Sequence, residues 1–117
     1  MVKIKNTRAN RTIWVVRHGQ RIDNLKPEWK ESAPRGAWDD PTLSNRGIVQ
    51  ARECGVRLST EQIDAVYCSP FIRCIQTTEQ IVNKYPKQLK VFIEPGICEA
   101  LCSTQYPPGY LSVHELK

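Results

Sequence analysis

Three short apolar runs and two longer stretches of helical period organise this chain. Thr12–Val16 (TIWVV) is β-branched, aromatic and nearly all apolar, the pattern of a strand buried on both faces. Asp64–Ser69 (DAVYCS) and Lys90–Glu94 (KVFIE) read as a second and a third strand, the third stopped by Pro95 and Gly96. Between the first two strands, Ile48, Ala51, Cys54 or Gly55, and Leu58 recur at offsets of three and four, with Ser44 where an N-cap belongs. Between the second and third, Phe71 or Ile72, Ile75, Thr78 or Glu79, and Val82 share a helical face. Ser69 is the expected N-cap of that helix, Pro70 its first residue and Pro86 its stop. Residues 24–41 are rich in Pro, Gly, Trp and charge without a sustained period, which predicts a long loop of the functional or disordered kind. The order strand, loop, helix, strand, helix, strand predicts an α/β domain with a mostly parallel sheet and flanking helices.

Composition changes this picture only in detail. A chain of 117 residues, 40% hydrophobic, suits one domain over 1–117 that buries about two-thirds of its unfolded surface. Residues 1–11 (MVKIKNTRANR) read as a basic N-terminal extension, without the apolar region of a secretory signal. No apolar run approaches the roughly 20 residues of a spanning helix, so no membrane span is expected. The formal net charge of +5, from 17 Lys and Arg against 12 Asp and Glu, suits nucleic acid, an acidic membrane surface or a phosphorylated ligand. The basic residues are scattered with no aromatic platform among them, which argues against nucleic acid. Cys54, Cys68, Cys74, Cys98 and Cys102 are odd in number and lie within apolar patterns. They read as reduced, buried filler in a cytoplasmic chain. The Cys98/Cys102 spacing lacks the second ligand pair of a zinc site, and neither metal nor cofactor is expected.

Ligands of open α/β sheets gather beyond the carboxyl ends of the strands. There the first strand runs into Arg17, His18 and Gly19, the second into Cys68 and Ser69 with Arg73 one turn on, and the third into a segment holding Glu94 and Glu99. Arg17, Arg73 and the amides after Ser69 form a set suited to a phosphate dianion, and Gly19 lets backbone approach a ligand closely. His18 is the natural nucleophile, because flanking arginines favour its neutral form. Glu99 is the candidate acid for a leaving alkoxide. Arg21 belongs at the pocket mouth; Glu94 reads as structural. The plainer reading makes Arg17 and His18 rim charges on a solvated strand end. A second chemistry is a cysteine phosphatase with Cys68 as nucleophile, but only four residues separate it from Arg73 where that loop needs five.

Four blocks in order, RHGQRIDN, LSNRGIVQA, YCSPFIRCIQT and IEPGICEAL, resemble the histidine phosphatase (phosphoglycerate mutase-like) superfamily over Trp14 to about Leu101. RHGQRID, SPFIRCIQT and IEPGICE most resemble its ubiquitin-associated, SH3-containing and ecdysteroid-phosphate phosphatase branch, and PPGYLSVHELK resembles that branch's specificity segment. The resemblance implies metal-independent phosphomonoester hydrolysis through a phosphohistidine on His18, with Arg17 and Arg73 binding phosphate and Glu99 matching the acid. Asn24 matches a phosphate-contacting Asn of many mutase-like members, and Asp23 an acidic residue commoner in this branch. The substrate would be a phosphorylated small molecule or a phosphoprotein.

The family's second histidine, on a late strand, has no counterpart before Lys117, and His114 sits in what reads as a helix start. The resemblance therefore implies a domain truncated on its C-terminal side. Loss of that hydrogen-bond donor would cost about a hundredfold in rate. Uncovered sheet edges would call for a homo-oligomer or a partner. The alternative function is a phospholigand-binding or scaffold pseudophosphatase without turnover.

Overall fold

The computed structural model describes residues 1–6 and 10–117, so residues 7–9 of the expected extension lie outside the described residues. Val2–Asn6 forms a strand, β1, in which Val2 and Ile4 alternate with Lys3 and Lys5. It pairs antiparallel with β2, Arg11–Val15, in a register that sets Val2 against Val15 and Ile4 against Ile13. Five residues expected as a basic tail thus hold the outer edge of the strand that leads to His18. The expected burial of that strand on both faces does not hold: Ile13 and Val15 are 59% and 51% exposed. The reason is that β2 has β1 as its one hydrogen-bonded neighbour among the described residues.

The expected parallel pairing is that of β3, Ala65–Cys68, with β4, Lys90–Ile93, where Ala65 lies opposite Lys90 and Cys68 opposite Ile93. Tyr67 and Phe92 stack across this pair with ring centroids 5.2 Å apart. Two two-stranded sheets therefore stand where one mostly parallel sheet was predicted. Between them runs a groove of about 680 Å³, walled by Trp14 and Val16 on one side and Val66 and Cys68 on the other, with Leu58 and Ile81 beneath. Each wall carries a strand edge unpaired among the described residues, the uncovered edge anticipated from the sequence.

The loop between β2 and the first long helix contains one α-helical turn, α1 (Trp29–Ser32), with 3-10 turns at Ile22–Asn24 and Pro34–Gly36, and runs on to Pro41, which is fully buried. Helix α2, Asn45–Leu58, starts as predicted: the Ser44 hydroxyl accepts the Gly47 N–H at 3.1 Å. Its buried face is Gly47, Ala51, Gly55 and Leu58, and the small residues among them let α2 lie close against α3, Ile72–Lys84. A Cβ on Gly55 would stand 2.8 Å from the Gln80 carbonyl oxygen and 3.0 Å from the Ile81 Cα. Phe71, Leu58, Ala51, Ile81 and Cys68 form the core beneath the strand ends.

The start of α3 differs from expectation. The helix opens at Ile72, not at Pro70, and Ser69 does not cap it. Its first amide, Ile72 N–H, is instead taken at 2.7 Å by the Asp40 carboxylate, from a loop 32 residues earlier. Pro70 and Phe71 are buried, so the chain enters the helix through an apolar corner where Asp40, itself 6% exposed, supplies the missing acceptor.

Candidate active site

The chain leaving the carboxyl end of β2 opens on a cleft of about 620 Å³ lined by Arg17, His18, Gly19, Arg21, Asn24 and Glu99. It adjoins the groove between the sheets, which reaches His18, Arg73 and Glu99 from the other side. All the site residues expected from sequence therefore gather at one end of the fold.

Local bonds fix the histidine. Its Nδ1 lies 2.7 Å from the Gly19 carbonyl oxygen, and a carbonyl can only accept. Nδ1 therefore carries the proton and leaves the lone pair of the neutral ring on Nε2. Gly19 N–H in turn donates to the Thr77 hydroxyl at 3.2 Å, and that hydroxyl donates to the Arg73 carbonyl at 2.8 Å. The loop after β2 is thus tied to the first turns of α3. Burial is the largest influence on His18 and lowers its pKa below the ordinary value. The Gly19 carbonyl works in the opposite direction, and Arg73, Arg21 and Arg17 depress it further through like charge.

Arg73 is 3% exposed. Its Nη1 donates to the Asp39 carbonyl at 2.9 Å, Nη2 meets Glu99 Oε2 at 3.4 Å, and its guanidinium lies 4.3 Å from the Phe71 ring centroid. Nε is buried without a partner among the described residues, which leaves one strong donor free at the inner end of the site. Arg17 is exposed at the cleft. Arg21 pairs in bidentate fashion with Asp23, Nε to Oδ1 at 2.9 Å and Nη2 to Oδ2, so the acidic residue beside Asn24 orients an arginine of the cleft wall. Glu94 accepts from Gly96 N–H at 2.8 Å, as a structural carboxylate would.

Three expectations need correction. The amides after Ser69 are not all free for an anion, because Asp40 occupies that of Ile72. Gly19 does line the cleft, but its missing Cβ serves packing: a methyl there would lie 2.8 Å and 2.9 Å from the Gly47 carbonyl carbon and Cα. The cysteines are all free, yet only Cys68 is buried, and Cys98 and Cys102 are exposed beyond β4. Cys68 is ill suited to attack phosphorus. Its thiol donates to the Ser69 carbonyl at 3.2 Å, and burial pushes its pKa up. His114 is exposed, away from the cleft. Among the described residues no group of three His, Cys, Asp or Glu side chains is arranged to hold a metal, and no helix is long and apolar enough to cross a membrane.

Thr77 and Asp39 were not singled out from the sequence. Thr77 lies four residues after Arg73, on the same helical face, and that spacing was a usable signal. Asp39 had none, since its partners Thr104, Gln105 and Gly109 are 65 to 70 residues away.

Residues 13–103 match the model of the histidine phosphatase superfamily, branch 1. The chain is 34% identical to ubiquitin-associated and SH3 domain-containing protein A of Mus musculus, over 97% of its own length and 23% of the relative's. It is 32% identical to the ecdysteroid-phosphate phosphatase of Drosophila melanogaster, over 92% of its length and 18% of the relative's. The crystal structure of the ecdysone phosphate phosphatase of Bombyx mori, in complex with tungstate, superposes with a TM-score of 0.65 at 24% identity. That match covers 85% of this chain and 49% of the other, and it shows a common α/β fold. The chain thus spans less than a quarter of these two curated relatives and about half of the solved one. With RHG at the end of β2 and Arg73 at the head of α3 in the matched region, the chain belongs to the histidine phosphatase superfamily.

Proposed function

We propose that this chain binds phosphomonoesters and transfers their phosphoryl group to His18. The observation that carries the reading is His18 itself: Nδ1 is held by the Gly19 carbonyl, and the ring stands in a cleft shared with Arg17, Arg21 and Glu99 with buried Arg73 behind it. Nε2 attacks phosphorus as the ester P–O bond breaks, and protonated Glu99 gives its proton to the departing alkoxide, releasing an alcohol. Water then attacks the phosphohistidine, Glu99 carboxylate takes its proton, and inorganic phosphate leaves.

The contact between Glu99 and Arg73 accords with this sequence. A phosphate dianion arriving at the guanidinium competes with Glu99 for its charge and stands beside the carboxylate. Membership of the superfamily, a relative named as a phosphatase and another solved with tungstate, a tetrahedral oxyanion, all support a phosphorylated substrate, small molecule or phosphoprotein.

A second reading has a specific observation in its favour. Of the chain's two histidines only His18 lines the cleft, so a second imidazole donor to the phosphoryl group is lacking among the described residues. On that reading the chain binds phospholigands without turnover, and a partner or second copy covers the free edges of β2 and β3. Sedimentation across a range of concentrations detects that assembly, and a monomer at all of them removes the second-copy form.

Hydrolysis of an aryl phosphate by the folded chain, in the presence of a chelator and beside His18→Ala, separates the two. Turnover that disappears with His18 is expected. A folded chain that binds orthovanadate without turnover would replace the enzyme reading with the binding one.

A further inference from the structure

Asp39 is 4% exposed, yet its carboxylate does not meet a charged side chain among the bonds it makes. Oδ2 collects three donors from one distant segment: the Thr104 hydroxyl, Gln105 N–H at 3.2 Å and Gly109 N–H at 3.1 Å. Its main-chain carbonyl faces the other way and accepts Arg73 Nη1 at 2.9 Å. One residue therefore touches both the segment 104–109 and the buried guanidinium. A neighbouring bond runs in parallel: Arg35, held at a φ of 59°, donates to the Gly109 carbonyl at 3.0 Å and to Asp40 Oδ2 at 3.3 Å. Asp40 in turn holds Ile72 N–H, the residue before Arg73. Tyr110, just past the clamped segment, packs edge-on against Phe71, whose ring lies beneath the guanidinium.

We propose that Asp39 is a positioning residue for Arg73, locking the orientation of its guanidinium to the seating of segment 104–110. The proposal rests on the phosphate-binding reading of this cleft and adds to it. The guanidinium has a carbonyl on Nη1, a carboxylate on Nη2 and nothing on Nε among the described residues. Only the carbonyl bond is a fixed main-chain contact, so it sets where Nε aims. When the segment is unseated, Asp39 becomes a buried carboxylate deprived of three donors and must shift, and its carbonyl moves with it. Whatever part of a substrate touches segment 104–110 thereby governs how well Arg73 receives the phosphoryl group.

The test is a double-mutant cycle on orthovanadate affinity, read by calorimetry with the full chain. Asp39→Ala is expected to weaken binding roughly tenfold, the scale of one charge-assisted hydrogen bond. In an Arg73→Ala background the same change is expected to cost nothing further, because the route to the anion has gone. Additive losses in the cycle overturn the proposal, since a merely structural role would persist without Arg73. Gly109→Ala is the second variant, in case Asp39→Ala does not fold. Its Cβ would lie 2.8 Å from Ala37 Cβ and closer still to Asp39 Oδ1, so it lifts the segment away from Asp39 without removing the Asp39 carboxyl group. It is expected to weaken binding in the wild-type background and not in Arg73→Ala; wild-type affinity in Gly109→Ala overturns the coupling. Wild-type chain that is folded and binds no vanadate removes the phosphate reading itself, an outcome distinct from binding with additive losses.

Discussion

Gly19→Ala tests how the fold delivers His18 to its place. The methyl group would sit 2.8 Å from the Gly47 carbonyl carbon and 2.9 Å from its Cα, where ordinary contact begins at 3.4 Å. The obstacle is main chain in the first turn of α2, pinned by the Ser44 cap and by Gly55 packing on α3, so no side chain can rotate away. The loop after β2 must therefore part from α2 by about half an ångström at the least. Overpacking of this kind costs about 1–3 kcal/mol of stability. The same displacement breaks the geometry of Gly19 N–H on Thr77 and of His18 Nδ1 on the Gly19 carbonyl. A misplacement approaching 1 Å at a reacting group costs on the order of a hundredfold in rate. Urea unfolding read by circular dichroism gives the first quantity, and aryl phosphate turnover of the folded fraction gives the second. Gly47→Ala is the mirror experiment, because its Cβ would meet Gln20 N at 2.9 Å and the Gln20 carbonyl oxygen closer still. Wild-type stability in both variants would refute the close-approach argument. A Gly19→Ala protein that is destabilised but keeps full turnover would refute the link from packing to His18.

Other outcomes follow from the same geometry. Asp40→Ala removes the acceptor for Ile72 N–H and is expected to cost about 1–2 kcal/mol, as loss of an N-cap does; an unchanged unfolding midpoint would contradict that role. The pH dependence follows from the lowered His18 pKa, caused first by burial and then by Arg73, Arg21 and Arg17. Its neutral form persists below the ordinary histidine range, so the acidic limb of kcat/KM is expected under about pH 6.5 and should move up in Arg73→Ala. For stability the sign runs the same way. Between the lowered folded value and the ordinary one the unfolded chain binds more protons, so stability falls as pH drops through that window. Titration of the His18 ring by NMR checks the direction, and a value above 6.5 would contradict it.

The elements with a strong local signal were legible in the sequence. Helix α2 was, because Ser44 caps its own chain and Ala51, Gly55 and Leu58 keep the helical period. So were β3 and β4, whose short apolar runs end in Ser-Pro and Pro-Gly. β1 was read as a tail because Lys3 and Lys5 dominate the composition, although Val2 and Ile4 carry the strand's two-residue period. The head of α3 was misjudged for a different reason. A Ser-Pro opening is a local rule, and here a carboxylate from residue 40 meets the orphan amide through the tertiary fold. Arg17, His18, Arg73 and Glu99 were recognisable because topology puts strand ends together, and motif order did the rest. The Asp39 hub could not be seen in that way. Its bonds span 65 to 70 residues and follow no period.

The most direct test of the central claim is to trap the phosphorylated protein. The folded chain is quenched after brief exposure to an aryl phosphate labelled at phosphorus, and the modified residue is located by mass spectrometry. The account predicts label on His18, lost in His18→Ala and retained in Cys68→Ala, since burial pushes the pKa of the wild-type Cys68 thiol up. Label on Cys68, or on any other residue while His18→Ala still turns over, would contradict it.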